Sequence, residues 1–256
     1  MLLKLTEPPR HNAPPHERAV ETMNAEGGPL MYAGWRDVLM LHFIIEPEEL
    51  QPHTPFPLDL FEGQAVITLV FFQMTDLRLA RWPNLPHWLL KPGEHIFLNV
   101  RTYVRVNGEP GIHFLREYVP KLLARIAGPI TYGLPYKWTT MHYAHEQHNR
   151  RFQGELARGG IAIVADYAFA PDPADEDGFN EFVLERYIAF NRRLRQTLRF
   201  RVKHLPWQMH RARLNVWRDD LLRAALPFWT KTEFVRAHFT PGFPDVGMGK
   251  PQRIAA

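Results

Sequence analysis

The Asn107-Gly108 pair constrains the folding of this chain more than any other two residues. It follows an alternating run at 96–106 and precedes a second run at 111–118. A two-residue Asn-Gly loop supplies the positive φ angles of a type I′ turn, whose twist matches that of the strands it joins. The two runs are therefore expected to return on each other antiparallel. Further apolar or alternating runs at 36–45, 64–74, 136–147, 152–156, 161–169, 198–202 and 233–239 predict strands. Helical signals are few: 17–24, a turn opened by Pro47, 121–127 stopped by Gly128-Pro129, 177–191 capped by Asp177, and 217–225. Many strands and a few short helices define an α+β domain on a mostly antiparallel, closed sheet.

No repeat period is visible. Residues 1–33 carry Pro8, Pro9, Pro14, Pro15 and the Gly27-Gly28-Pro29 break, and are expected to form an N-terminal, partly extended arm. Residues 34–256 are expected to form a single domain. At 256 residues and 45% hydrophobic content, the chain can bury about 70 to 75% of its unfolded surface without metals or disulfides.

Composition excludes several chemistries outright. With no cysteine there is no disulfide, thiolate-bound zinc, iron–sulfur cluster or cysteine nucleophile. Serine does not occur either, so a nucleophile must come from Lys, Tyr, Thr, His or a carboxylate. No phosphate loop or dinucleotide fingerprint is present. The longest apolar run, 65–72, is strand-sized, and the first residues lack the apolar stretch of a secretory signal. A cytoplasmic protein with no membrane partner is expected. A net charge of +4 over this length permits a nucleic-acid partner without arguing for one.

Two clusters invite functional readings that simpler ones match. His142, His145, Glu146 and His148 crowd into seven residues, but the spacing fails the helical zinc-protease pattern. On a strand His142, Glu146 and His148 share one face and His145 the other, and the solvated end of a hairpin accounts for them without a metal. Arg192, Arg193, Arg195, Arg199, Arg201 and Lys203, interleaved with Phe190, Phe200 and Trp207, could neutralise a nucleic-acid backbone. A solvated strand face explains the same charges, and no recognised nucleic-acid motif accompanies them.

Two other segments carry candidate site residues. Period-two geometry puts Asn99, Arg101, Tyr103 and Arg105 on one face of a strand. If that face points inward, Arg101 can clamp a carboxylate while Asn99 and Tyr103 orient it; if it faces water, the strand is merely amphipathic. In Tyr132-Gly133-Leu134-Pro135-Tyr136-Lys137-Trp138, a lysine between aromatics could be desolvated enough for imine chemistry, or could snorkel to solvent.

Taken together, several stretches resemble the YqjF-like family, a conserved domain of unknown function in the acetoacetate decarboxylase-like superfamily. They are Trp35 with Leu41-His42 and Leu50, Phe61-Glu62-Gly63-Gln64-Ala65, Asn99-Val100-Arg101-Thr102-Tyr103-Val104, and Gly111-Ile112-His113-Phe114-Leu115-Arg116-Glu117 with Val119-Pro120. Tyr132-Gly133, Pro135-Tyr136, Glu185-Arg186-Tyr187, Val202-Lys203-His204 and Pro206-Trp207 complete the set. The resemblance covers about residues 34 to 250. It implies a barrel-like sheet with a central cavity, a few flanking helices and a homo-oligomer.

Superfamily decarboxylases carry Gly-x-Pro-Lys-Lys, in which the first lysine forms a Schiff base and the second depresses its pKa. The corresponding string here is Gly133-Leu134-Pro135-Tyr136-Lys137, so Tyr136 stands at the imine-forming position. Ordinary acetoacetate decarboxylation is therefore not expected. Leu98 and Leu134 also stand where relatives carry glutamate, which leaves the cavity few general bases and favours binding of an anion over proton abstraction. The expected function is a barrel cavity binding a small, carboxylate-bearing metabolite, with or without lyase-type chemistry. Arg101 is its anchor and Asn99, Tyr103, Tyr136 and Arg186 its lining. In an enzymatic version Lys137 supplies amine chemistry or charge stabilisation and Tyr136 proton transfer. No cofactor is expected. A non-catalytic ligand-binding module, and an interaction or nucleic-acid-binding protein using residues 192–203, are the alternatives.

Overall fold

The computed structural model of the protein describes residues 14–81, 95–120, 132–172 and 177–255. The helix expected at 121–127 lies outside them. Among the described residues thirteen strands form one continuous, mostly antiparallel sheet. Its centre is built from β1 (Pro29–Ile45), β2 (Ala65–Leu79), β3 (His95–Val106) and β4 (Glu109–Val119), with the 17-residue β12 (Glu233–Gly249) beside β1. Asn107 and Gly108 both adopt positive φ, 51° and 81°, as the predicted turn between β3 and β4 requires.

Two short strands, β9 (Ile188–Arg193) and β10 (Gln196–Lys203), convert this slab into a ring. β9 meets β4 at a single parallel rung, Ile112↔Ala189, and β10 meets β12 at Val202↔Met248 and Lys203↔Gly247. β1, β2, β3, β4, β9, β10 and β12 thus close into a barrel. Strand alternation sorts side chains to its two surfaces. Val38, Met40, Val66, Val70, Phe72, Phe97, Tyr103, Ile112 and Phe200 turn inward, joined by Phe179, Val183 and Leu184 of helix α3 (Phe179–Leu184; the helices before it are α1 and α2, given below). Leu39, Leu41, Phe43, Ile67, Leu69, Phe71, Leu98 and Val100 turn outward. That outer face is covered by β6 (Met141–Glu146), β7 (Arg151–Leu156), β8 (Ile161–Tyr167), β11 (His210–Arg218) and helix α4 (Asp220–Ala225). The central strands read as nearly continuous apolar runs because both of their faces are buried.

Helix α1 (Pro15–Ala25) buries Ala19 and Met23, and β1 begins at Pro29. A helical turn, α2 (Pro47–Leu50), opens at Pro47. Several element boundaries differ from those expected. The helix predicted over 177–191 ends at Leu184, and 188–193 is strand: Ile188, Ala189 and Phe190 are consumed by pairing with β10, which overrides a helical period that holds for under two turns. Asp177 does accept the Phe179 N–H, at 3.0 Å. The predicted strand 136–147 is two, because β5 (Tyr136–Trp138) pairs parallel with β4 while β6 pairs with β7. Helix α4 starts at Asp220, since Trp217 belongs to β11. Residues 233–239 are the first half of β12, which continues past Pro241 with Gly242 (φ 92°) opposite Arg36 and passes Pro244 at a register irregularity between Phe243 and Val246.

Candidate functional site

The barrel interior is apolar except for a band of polar groups carried by its central strands. On β3 the inward positions are Asn99, Arg101 and Tyr103; Arg105, next in the alternation, is exposed and ion-pairs with Asp59. Arg101 is 8% exposed and pairs in register with Thr68 of β2, which pairs with His42 of β1. The Arg101 Nη2 donates to the Val183 carbonyl at 3.2 Å, while its Nε has no partner. Tyr103 is fully buried, with its hydroxyl 2.6 Å from Thr68 Oγ1 and 3.0 Å from the Val183 carbonyl.

A second row runs across three strands. Asn99 of β3 stands opposite Glu117 of β4, which stands beside Tyr136 of β5. Glu117 is 3% exposed; neither its Oε2 nor Asn99 Oδ1 has a hydrogen-bond partner. Burial without a cation pushes the Glu117 carboxyl well above the usual carboxylate range. Burial, then the nearby Glu117 and Tyr132, likewise push the Tyr136 phenol up. Buried polar atoms are nearly always satisfied, and Asn99 Oδ1, Arg101 Nε and Glu117 Oε2 are three exceptions on neighbouring strands of one barrel.

Asn99, Arg101, Tyr103 and Tyr136 are thus brought together. Arg186 lies behind them: its Nη1 donates to Asp59 at 2.6 Å, its Nε to the Phe182 carbonyl at 2.6 Å, and its guanidinium sits 5.5 Å from the Tyr103 ring. Lys137 is exposed, on the strand position next to the inward Tyr136, as the snorkelling reading of that lysine requires. Leu98 faces the outer core with Tyr118. Leucine at 98 and 134 was expected to leave the interior few general bases; Glu117, buried beside Tyr136, supplies it with a carboxyl group. Glu117, His42 and Thr68 were missed by sequence reasoning. The available signal was a polar residue at an inward position of an otherwise apolar strand, legible only once the ring fixes which positions point in.

Elsewhere the histidine cluster disperses. His142 is exposed, His148 lies in the exposed turn after β6, and Glu146 binds Asn149 and Gln153. His145 instead bridges Asp37 (2.7 Å) and the Tyr167 hydroxyl (2.7 Å) beside a surface pocket of about 470 Å³. Among the described residues no group of three His, Asp or Glu side chains is placed to hold a metal. In the basic segment, Arg199 and Arg201 are ion-paired with Glu26 and Glu109, and Phe190 and Phe200 are buried. Among the described residues no helix is long and apolar enough to cross a membrane.

Solved structures share this architecture. Acetoacetate decarboxylase from Legionella pneumophila subsp. pneumophila str. Philadelphia 1 superposes with a TM-score of 0.60 at 18% identity, over 89% of this chain and 88% of that one. The enduracididine biosynthesis enzyme MppR, in its complex with pyruvate, gives 0.58 at 12% identity, over 89% and 91%. The fold is therefore acetoacetate decarboxylase-like. The uncharacterized protein YqjF of Bacillus subtilis (strain 168) is 28% identical over 196 residues, 73% of this chain and 78% of that protein. Residues 32–243 match DUF2071, described as an uncharacterized conserved protein, and the chain belongs to that family.

Proposed function

We propose that the barrel interior binds a small molecule bearing a carboxylate and a neighbouring carbonyl, a 2-oxo acid in the simplest case. The observation that carries this reading is the set of unpartnered polar atoms, Asn99 Oδ1, Arg101 Nε and Glu117 Oε2, buried in the interior of one closed ring. A guanidinium with a free Nε presents donors that suit a carboxylate. A carboxylic acid kept neutral by burial, beside a phenol, is a hydrogen-bond donor for a carbonyl oxygen and a proton source if negative charge develops there. Asn99, Tyr103 and Tyr136 orient the ligand, and Arg186 holds Tyr103 from behind.

Imine chemistry is not part of this reading, because Tyr136 occupies the inward position and Lys137 faces out. A nucleic-acid role for residues 192–203 is not favoured either, since Arg199 and Arg201 are held by carboxylates. The complex of MppR with pyruvate makes pyruvate the first probe. Isothermal titration with pyruvate and a panel of small carboxylates is expected to give saturable binding to the wild type, weakened at least tenfold by Arg101→Met. Glu117→Gln, which keeps a neutral donor, is expected to keep most of the affinity. No binding across the panel, together with no anion released on denaturing the purified protein, counts against the proposal.

A further inference from the structure

A line of buried side chains leads away from Tyr103, which orients the ligand, through three groups that ligand binding does not use. On the inward face of four neighbouring strands, Tyr103 (β3), Thr68 (β2), His42 (β1) and His238 (β12) are buried and linked in a line. The Tyr103 hydroxyl lies 2.6 Å from Thr68 Oγ1, Thr68 Oγ1 2.9 Å from His42 Nδ1, and His42 Nε2 3.1 Å from His238 Nδ1. His238 Nε2 then lies 3.3 Å from Asp172 Oδ2, an ion-pair contact in which neither atom makes a hydrogen bond, and Asp172 Oδ1 approaches the exposed Arg211 at 3.4 Å. We propose that Tyr103, Thr68, His42, His238 and Asp172 form a proton relay joining the barrel interior beside Arg101 to the surface at Arg211. The proposal rests on the reading of that interior as the ligand site.

Every internal member can both give and take a proton, so the hydrogen-bonded stretch from Tyr103 to His238 is satisfied in either of two directions, and the His238–Asp172 contact completes the line when it tightens into a hydrogen bond. In the first, Tyr103 donates to Thr68, Thr68 to His42 Nδ1, His42 Nε2 to His238 Nδ1, and His238 Nε2 to an ionised Asp172. In the second, Asp172 is the acid, every proton points inward, and the Tyr103 hydroxyl is free to donate to the Val183 carbonyl at 3.0 Å. Passing between them moves one proton. A ligand X–H bond breaks as Tyr103 Oη–H forms, each member hands its own proton to the next, and Asp172 ends protonated and releases the proton to water. Both imidazoles stay neutral throughout. Burial, and for His42 also His238, Arg101 and Arg236, holds them below the usual imidazole range, against the pull of Asp172 on His238. A core needing only stability would be served better by apolar residues at these positions, since buried polar networks cost desolvation. The last link is the longest, which puts the make-or-break contact at the surface end.

The relay makes a claim about the ligand-free protein. In ¹⁵N-histidine-labelled full-length protein, the imidazole N–H groups of His42 and His238 are expected to exchange with water at least tenfold faster than the backbone amides of the same residues. Asp172→Asn is expected to slow both imidazoles at least tenfold, and Asp172→Glu to restore them. Imidazole rates that match the neighbouring amides in the wild type overturn the relay, as do rates indifferent to Asp172→Asn in a folded variant. The wild-type comparison decides the matter if the variant does not fold. Failure of pyruvate and the other carboxylates to bind removes the ligand reading and leaves this exchange measurement standing.

Discussion

Glu117 shows how a single inward carboxyl changes the chemistry of a barrel. Its folded-state pKa is raised, so it favours the folded state fully only below the unfolded value near 4.5, and that contribution is lost as pH rises toward the folded value. Each pH unit in that window costs about 1.4 kcal/mol. Glu117→Gln mimics the neutral acid, so its stability relative to wild type is expected to grow between pH 5 and pH 8. Urea denaturation at the two values checks this; a constant difference would mean that Glu117 is ionised in the folded protein. At this scale the sequence was informative about residue type and weak about direction. Asn99, Arg101 and Tyr103 could be placed on one face from their alternation. Whether that face was wet could not, because the flanking Val100, Thr102 and Val104 are buried as well.

Among the elements, those with strong local chemistry were legible and those set by partners were not. The β3–β4 hairpin follows from Asn107-Gly108, and α1 extends the short helix expected at 17–24 to Pro15–Ala25, taking in a proline that was expected to be part of the arm. By contrast, β9 looked helical until its pairing with β10, and the length of β12 was hidden by prolines that a bulge accommodates. The β4–β9 seam depends on a residue whose role no pattern announces. A Cβ on Gly111 would come within 2.7 Å of the Ile188 carbonyl and the Phe190 ring. Gly111 has no positive φ, so the constraint is contact alone. Gly111→Ala is expected to cost about 1 to 3 kcal/mol in chemical denaturation, as overpacking does. A loss below about 0.5 kcal/mol would show that the seam yields freely.

For the molecule as a whole, buried neutral imidazoles set the acid limit. Burial lowers His42 and His113, and brings His204 and His238 to about 4. Their folded values lie below the unfolded value near 6.5, so the unfolded chain takes up protons first, and stability falls as pH drops from 6.5 toward 4. The slope is about 1.4 kcal/mol per pH unit for each such histidine. Thermal melts are expected to drop steeply below pH 6; a flat profile down to pH 5 would contradict the burial of these rings.

The ring itself is zipped unevenly. β12, β1, β2, β3 and β4 share long ladders, whereas β9 and β10 attach through one rung on one side and two on the other. What reinforces them is ionic: Arg199 and Arg201 of β10 reach Glu109 of β4 and Glu26 beyond α1 at 2.8 to 3.1 Å. Although burial resists it, these guanidinium groups hold the Glu109 carboxyl below its usual range. Dissolved ions compete for such pairs and leave backbone ladders alone. Two staves of the cylinder are thereby made to sense the saltiness of their surroundings while the other five do not.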